Sequence, residues 1–347
     1  MIRFNCDYSE GAHPLILERL TKTNFEQTAG YGLDPYCLQA AQLIKTACKA
    51  PQADVHFLSG GTQTNLIVVA ACLRPYRAII SAQSGHINVH ETGAIEATGH
   101  RIIALPEREG KITAQQIARV CQEHWEDDNP EFAPQPKMVY LSFPTEFGTL
   151  YSKAELSAIR RVCDEHNLFL FIDGARLGYG LTSPENDLTL PEIAACADVF
   201  YIGGTKIGAL LGEAVVIMNP KLQKDFRYFI KQRGGMLAKG RVMGIQFLTL
   251  FENDLYMRIS KHANDMAMLV RNTCQEAGFD FLYNSPTNQQ FPILPKDLLR
   301  KLESEYVFSH IKKLDGDMRA IRICTSWATR EEDVTRLCAD LRRLAGV

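Results

Sequence analysis

Lys206 is the residue of this sequence whose surroundings most favour covalent chemistry. It follows the apolar run 199–202 and the pair Gly203-Gly204, and a second apolar run, 214–218, begins shortly after it. This pattern places an amine at the end of a predicted strand, in a turn of small residues that leaves room for a bulky ligand. A partly desolvated lysine loses its proton readily enough to attack a carbonyl group. The segment therefore predicts Schiff-base chemistry, although an ordinary surface lysine in a glycine-rich hairpin has the same pattern.

Other polar side chains also follow predicted strands. The segment 59–65 (SGGTQTN) connects a short strand to a helix, so its backbone N–H groups and Thr62 favour an anion such as phosphate. A threonine that only caps the helix explains this segment equally well. His86 follows another strand and could lay its flat ring on a planar ligand, although a structural histidine is the commoner case. Asp173 ends the run 168–172 (LFLFI), which is typical of a strand buried on both faces.

Strands and helices alternate through the first two thirds of the chain, which predicts a right-handed parallel α/β sheet. Ligands of such sheets bind at the carboxyl ends of the strands. We therefore expect one edge of the sheet to carry the polar residues Thr62, His86, Asp173, Arg176 and Lys206.

The pattern changes near residue 242. A single long helical stretch is predicted there, followed by short strands and a last helix, at 244–277, 281–283, 291–294, 319–325 and 331–344. This order is typical of an α+β unit. We predict a large domain over 1–242 and a small C-terminal domain over 243–347.

Composition and charge exclude several classes of binding partner. The 347 residues include 38 basic and 40 acidic ones, so no net field attracts nucleic acid or a membrane surface. The ten cysteines are scattered singly, and His86 and His90 share a helix face without a third ligand nearby, so neither a disulfide framework nor a metal site is predicted. No apolar run approaches the roughly 18 residues that span a bilayer, and the first residues have no apolar signal core. We expect a cytoplasmic protein with a small-molecule partner.

The polar residues at the strand ends match the needs of one cofactor, pyridoxal 5'-phosphate. It requires an amine for its aldehyde, a carboxylate for its ring nitrogen, an anion site for its phosphate and a flat group over its ring. With these motifs in this order, the sequence resembles the fold-type-I pyridoxal-phosphate enzymes, and within them the low-specificity threonine aldolases of the β-eliminating lyase group. The motifs cover nearly the whole chain: YGLDP at 31–35, FLSGGTQTN at 57–65, GH at 85–86, IDGARL at 172–177, TK at 205–206, GGM at 234–236 and RICT at 322–325.

The resemblance implies a fold and an activity. The fold is α/β, with a mostly parallel sheet flanked by helices and a smaller C-terminal α+β domain. The activity is that of a lyase that cleaves the Cα–Cβ bond of a β-hydroxy-α-amino acid, threonine or allo-threonine, to glycine and an aldehyde. A related enzyme that performs β-elimination or transamination is the alternative, and a non-catalytic α/β binding protein is a third interpretation. The resemblance also implies a homodimer or a homotetramer, because such enzymes complete each site with residues of a neighbouring subunit.

The resemblance assigns roles to individual residues. Lys206 would bond to the cofactor aldehyde, Asp173 would pair with the ring nitrogen and His86 would stack on the ring. The remaining positions would hold the phosphate or the carboxylate: Gly61, Thr62 and Thr205 for the phosphate, Arg176 for cofactor and substrate, and Arg322 and His90 for the substrate.

The sequence departs from the family at three places. It has CDY at 6–8 where the family usually has Ser-Asp-Thr, and Glu146 stands where the family often has a histidine. It also has RGGML at 233–237 in place of Gly-Gly-Gly-Met-Arg, so a basic group near the phosphate must come from Lys231, Arg233 or Lys239, or is missing.

These departures bear on the base that takes the hydroxyl proton, for which the candidates are His86, His90 and Glu146. We favour His86, because histidine titrates near neutrality without help from its surroundings. Glu146 would then shape the substrate pocket. An alternative in which Glu146 only pairs with a nearby arginine stays open.

Overall fold

A seven-stranded sheet forms the centre of the computed structural model, which describes residues 1–346. Thirteen strands are present in the described chain: β1 (Ile2–Arg3), β2 (Asp54–Leu58), β3 (Arg77–Ala82), β4 (Arg101–Leu105), β5 (Gln135–Ser142), β6 (Phe169–Asp173), β7 (Val199–Gly203), β8 (Glu213–Ile217), β9 (Gln289–Gln290), β10 (Ile293–Pro295), β11 (Tyr306–Val307), β12 (Ser309–Lys313) and β13 (Met318–Cys324). Residues 1–346 also form thirteen α-helices: α1 (Pro14–Lys22), α2 (Pro35–Ala47), α3 (Gly61–Cys72), α4 (His86–Val89), α5 (Ala114–Trp125), α6 (Lys153–Glu165), α7 (Leu177–Leu181), α8 (Leu190–Cys196), α9 (Phe226–Gln232), α10 (Arg241–Phe251), α11 (Leu255–Glu276), α12 (Lys296–Leu302) and α13 (Glu331–Ala345).

The strand order of the central sheet is β2-β8-β7-β6-β5-β3-β4. All pairs are parallel except those of β8, which runs antiparallel to both β2 and β7. This strand can reverse because it follows β7 through a short turn, whereas parallel neighbours need a long crossover. The prediction of a mostly parallel sheet is confirmed, and the turn between β7 and β8 carries Lys206.

Helices cover both faces of the sheet. Strand β5 sends Val139 and Leu141 into one apolar core and Met138 and Tyr140 into the other. Successive side chains of a central strand point to opposite faces of the sheet, and both faces are buried. This explains why the sequences of these strands are continuous apolar runs.

Local signals set several helix starts. The side chain of Asp34 accepts a hydrogen bond of 2.9 Å from the N–H of Cys37, and Pro35 fills the first position of α2. Reciprocal capping boxes begin α5, at Thr113 and Gln116, and α6, at Ser152 and Glu155.

A smaller antiparallel sheet, β10-β13-β12 with β9 beside β13, lies in the C-terminal part of the chain. Its core includes Leu337 of α13 and Val270 of α11 together with Phe4, and β1 pairs with β11. The first residues of the chain therefore lie with the C-terminal sheet. The division into domains 1–242 and 243–347 stays a prediction.

Two predicted elements differ from the structure. The single helix expected over 244–277 is wrong, because Asn253 and Asp254 adopt left-handed conformations (φ of 53° and 57°) that separate α10 from α11. The strand expected at 281–283 is reduced to one bridge between Phe281 and Pro292. Strand β4, for which the sequence analysis had no prediction, extends the sheet at its edge.

The helices formed by residues 1–346 include none with the length and apolar character needed to cross a membrane.

Candidate active site

A pocket of about 900 Å³ lies where β5, β6 and β7 end and where β8 begins. Eight of the ten predicted site residues line it: Gly61, Thr62, His86, Glu146, Asp173, Arg176, Thr205 and Lys206. His90 and Arg322 are not part of its lining. His90 lies beside His86, with 5.4 Å between the ring centroids. Arg322, on β13, donates to the side chain of Gln289 at 3.1 Å.

Lys206 is half-buried in the turn after β7, and its backbone carbonyl accepts a hydrogen bond of 2.6 Å from the hydroxyl of Tyr179. Among residues 1–346, its ammonium group has no hydrogen-bond partner and no carboxylate within salt-bridge distance. Burial lowers the pKa of the Lys206 amine, and the charge of Arg176 acts in the same direction, against Asp7, Asp173 and Glu213. A lowered pKa raises the fraction of neutral amine, which is the nucleophilic form.

Glu213 is a site residue that the sequence analysis missed. It is the first residue of β8, is buried in the pocket wall, and accepts a hydrogen bond of 3.1 Å from the N–H of Gly204. Burial raises the pKa of its carboxyl group, although the neighbouring Lys206 opposes this shift. Both groups are thus displaced toward their neutral forms. The signal in the sequence is a charged residue that opens an otherwise apolar strand (EAVVI).

Asp173, the last residue of β6, accepts four hydrogen bonds. Tyr201 and Tyr140 each donate a hydroxyl at 2.5 Å, to Oδ1 and Oδ2 respectively. The N–H of Ala175 adds a contact of 3.0 Å to Oδ1, and Asn65 Nδ2 one of 3.3 Å to Oδ2. Burial and the charge of Asp173 raise the pKa of both tyrosines, so they remain donors. The sequence does not reveal these tyrosines, because they stand within apolar strands.

Arg176 is committed to a carboxylate of the N-terminal segment. Its Nε and Nη2 donate to Asp7 at 2.6 and 2.9 Å, and Asn288 donates to the same carboxylate at 3.0 Å. Burial raises the pKa of Asp7, but the charges of Arg176 and Lys206 outweigh it and lower the pKa to about 2. This fork-shaped ion pair fixes the guanidinium plane, which leaves Nη1 for a ligand.

Glu146 forms the opposite wall of the pocket. Its Oε1 accepts a hydrogen bond of 2.7 Å from the backbone N–H of His86 and one of 2.6 Å from the hydroxyl of Ser142. Burial raises the pKa of this carboxyl group. The described residues include no arginine that pairs with Glu146. The adjacent Phe147 stacks on Tyr283, with 3.9 Å between the ring centroids.

The N-terminus of α3 faces the pocket without a side-chain cap. Its N-cap residue is Gly60, and a Cβ added there would meet nothing within 4 Å. The first N–H groups of the helix and the positive end of its dipole therefore favour an anion. Arg233, whose carbonyl accepts a bond of 3.4 Å from Gln63, has a buried Nε without a partner among residues 1–346. The uncapped helix N-terminus at the pocket fits a ligand with a phosphate group, whereas Arg233 is not part of the pocket lining.

The family model "Beta-eliminating lyase" matches residues 12–295. A low specificity L-threonine aldolase of Pseudomonas sp. is 30% identical, over 98% of this chain and 97% of its own length. A solved structure of Leishmania major threonine aldolase is 44% identical, with a TM-score of 0.97 over 99% of this chain and 100% of its own. A mutant of Thermus thermophilus aspartate aminotransferase shares the fold, at 15% identity and a TM-score of 0.71 over 99% of this chain and 91% of its own.

Proposed function

The chain belongs to the β-eliminating lyase family and, within it, to the threonine aldolases, and we propose that it cleaves the Cα–Cβ bond of a β-hydroxy-α-amino acid. The substrate is threonine or allo-threonine, and the products are glycine and an aldehyde. The observation that carries this proposal is that one pocket combines Lys206, an amine whose pKa is lowered by burial, with the buried carboxylate of Asp173 and the guanidinium of Arg176.

The donor set of the pocket fits pyridoxal 5'-phosphate as the cofactor. Bound there, it supplies an aldehyde to react with an amine and a ring that takes up negative charge from the substrate carbon. The N-terminus of α3 with Gly61 and Thr62 would hold the phosphate, with Thr205 in the same pocket lining. We assign Arg233, whose carbonyl accepts from Gln63 of α3, as the basic group. Lys206 would supply the amine that reacts with the aldehyde, since burial lowers its pKa.

Asp173 would hold the ring nitrogen of the cofactor. Its carboxylate accepts four hydrogen bonds from this chain. The contact from Asn65, at 3.3 Å, is the longest of the four. Tyr140 and Tyr201 keep the carboxylate aimed at the pocket.

Two arginines orient the substrate carboxylate. Arg176 offers Nη1, since Asp7 occupies its other edge. Arg322 is anchored through Gln289 and the carbonyl of Asn5, and its Nε is buried without a partner among residues 1–346. Planar guanidinium groups bind a carboxylate in a fixed orientation, so the two arginines would orient the substrate in the pocket. We also assign His90, which lies beside His86, to the substrate site.

His86 accepts the proton of the substrate hydroxyl during cleavage. It lies over the pocket at the start of α4, where its backbone is tied to Glu146. Glu146 is already bound by two donors, which supports a role in shaping the pocket rather than in taking the proton. General base catalysis of this kind contributes roughly 10²- to 10⁴-fold.

We propose that the protein is a homodimer or a homotetramer in the cytoplasm. Large apolar side chains are exposed in the segment 25–38 (Phe25, Tyr31, Leu33, Leu38) and at Leu210 in the turn that carries Lys206. Exposed apolar side chains of this kind favour a second copy of the chain as their partner. All ten cysteines are free thiols, as expected in a reducing compartment.

Product analysis tests the function. The purified protein, loaded with pyridoxal 5'-phosphate, is incubated with L-threonine and with L-allo-threonine, and glycine, acetaldehyde and 2-oxo acids are measured. We expect equal amounts of glycine and acetaldehyde, and none from a Lys206→Ala control. A 2-oxo acid with ammonia in place of glycine would show β-elimination instead. Absence of every product would reject both activities.

A further inference from the structure

Glu91 is buried directly beneath His86. Its Oε1 lies 2.7 Å from His86 Nδ1, and its side chain is fully buried while that of His86 is 36% exposed. His86 opens the short helix α4, and Glu91 follows just after its end, so one turn of the chain brings the two together. The other ring nitrogen, Nε2, lies on the far side of the imidazole from Glu91.

The contacts of Asn65 bear on whether His86 or Glu91 is the hydrogen-bond donor. Its Nδ2 donates to Glu91 Oε1 at 2.7 Å and to Asp173 Oδ2 at 3.3 Å. An amide nitrogen between two carboxylates is fixed in orientation, because carboxylate oxygens accept. Glu91 Oε1 accepts from Asn65, and with Glu91 as a carboxylate the hydrogen that it shares with His86 lies on Nδ1.

We propose that Glu91 is a positioning residue: it holds the proton of His86 on Nδ1, so that Nε2 presents a lone pair to the pocket. This inference rests on the proposed function, in which His86 takes the hydroxyl proton. The carboxylate also stabilises the positive ring that forms when Nε2 is protonated, as a buried acid does for a histidine base in other enzymes. Asn65 donates to both Glu91 and Asp173, so one hydrogen-bond network holds His86 and Asp173 in place.

Other charged groups lie around His86 and Glu91, and the substitutions described below leave these groups unchanged. They are His90 in the same turn, Glu146 at the backbone N–H of His86, Asp173 beyond Asn65, and Arg322 and Lys206, whose charges reach His90.

Two substitutions of Glu91 distinguish the effect of its hydrogen-bond acceptor from the effect of its negative charge. Glu91→Gln keeps an oxygen that accepts from both His86 and Asn65, and we expect the proton to stay on Nδ1. Glu91→Leu removes the acceptor at similar size, and we expect the proton to redistribute toward Nε2. Glu96→Gln, at an exposed glutamate in the same segment, is the matched control and should change nothing.

The tautomer is read by ¹⁵N NMR of protein labelled at histidine, without substrate, with His86→Phe to assign the signal. The rate is read as kcat and KM for threonine cleavage, with the melting temperature as a check on folding. We expect Glu91→Leu to lower kcat about 100-fold or more relative to Glu91→Gln, with little change in KM.

Each outcome bears on the proposal. A wild-type proton on Nε2, a wild-type tautomer retained in Glu91→Leu, or a kcat no lower in Glu91→Leu than in Glu91→Gln would overturn it. If Glu91→Leu does not fold, the spectra of the wild type and Glu91→Gln still decide where the proton lies. If the wild type cleaves no threonine, the proposed function fails, while the tautomer still decides the role of Glu91.

Discussion

Asp173 accepts four hydrogen bonds, and this determines what its substitution does. In Asp173→Asn the two tyrosine hydroxyls can rotate to meet an amide, so we expect the fold to survive. The negative charge beside the cofactor ring is lost, however, and with it a stabilising partner for charge that develops in the reaction. We expect kcat/KM to fall about 10²- to 10³-fold while the melting temperature changes little. Unchanged turnover would show that the carboxylate is not needed for the chemistry.

His86 and Glu146 differ in what they can give to the reaction. Glu146 accepts from the N–H of His86 and from Ser142, and Glu146→Gln retains an oxygen for both bonds. His86→Phe keeps a flat ring but loses the proton acceptor. We expect pH–rate profiles in which His86→Phe loses most of kcat and Glu146→Gln only a small part. The reverse result, with the acidic limb lost in Glu146→Gln, would make the glutamate the base.

Much of the site at this scale was predictable, because reactive side chains at strand ends are visible in the sequence. The lysine, the aspartate and the glycine-threonine turn all line one pocket, as the alternation of strands and helices indicated. The partners that hold them were not predictable. Tyr140, Tyr201 and Glu213 lie in apolar strands, and only the register of those strands brings them to the site.

At the scale of secondary structure elements, the ends of β6 and β7 must approach closely to place Asp173 beside Lys206. The N–H of Gly203 donates to the carbonyl of Gly174 at 2.9 Å. A Cβ on Gly174 would lie 1.9 Å from the carbonyl oxygen of Tyr201, which is a backbone atom and cannot turn away. The glycines at these strand ends are therefore needed for the geometry of the site as well as for space around the ligand.

We expect Gly174→Ala to lower the free energy of unfolding by about 1–3 kcal/mol, the usual cost of a forced backbone shift in a packed interior. Cofactor content should fall with it, because Asp173 is displaced. Urea denaturation and the absorbance of the bound cofactor measure the two effects. Gly11→Ala is the control, since a Cβ there meets nothing within 4 Å. Equal stability of both variants would contradict the close approach.

The sequence predicted most of these elements but not their interruptions. The break between α10 and α11 rests on two non-glycine residues with positive φ, Asn253 and Asp254, within a stretch of helical periodicity. Such a conformation is uncommon for residues other than glycine, so periodicity alone extends the helix through it.

At the scale of the whole molecule, the N-terminal segment ties the two sheets together. β1 pairs with β11 of the C-terminal part, and Asp7 just beyond it binds Arg176 of the central part and Asn288 of the C-terminal part. The pKa of Asp7 is lowered from 3.8 to about 2 in the folded protein. Its contribution to stability is therefore complete above about pH 4 and is lost as the pH falls toward 2.

The difference between these pKa values corresponds to about 2 kcal/mol. We expect Asp7→Asn to be less stable than the wild type at neutral pH, because Arg176 keeps a buried charge without its partner. The difference in the free energy of unfolding between the two proteins should become smaller below about pH 4, because the wild type loses the same interaction. Urea denaturation of both proteins from pH 7 to pH 3 tests this, and a gap that does not depend on pH would contradict it.

The segment 25–38 exposes four large apolar side chains, those of Phe25, Tyr31, Leu33 and Leu38. Tyr31 has a φ of 60°, and its backbone is held by a bond of 3.2 Å to the carbonyl of Ala238 and one of 3.1 Å from Arg227, so this apolar surface is rigid. A rigid apolar surface loses little conformational entropy on binding, which favours a permanent partner.

Leu38→Glu tests whether that partner is a second copy of the chain. Leu38 is 61% exposed on α2, so a charge there has little effect on an isolated subunit but disrupts an apolar interface. Phe132→Glu, at a residue that is 82% exposed outside this surface, is the matched control. We expect light scattering to give a dimer or tetramer for the wild type and Phe132→Glu, and smaller, less active species for Leu38→Glu. Because we propose that a neighbouring subunit completes each site, separated subunits should lose cofactor as well as mass. A wild-type monomer that is active at the assay concentration would rule out the shared interface.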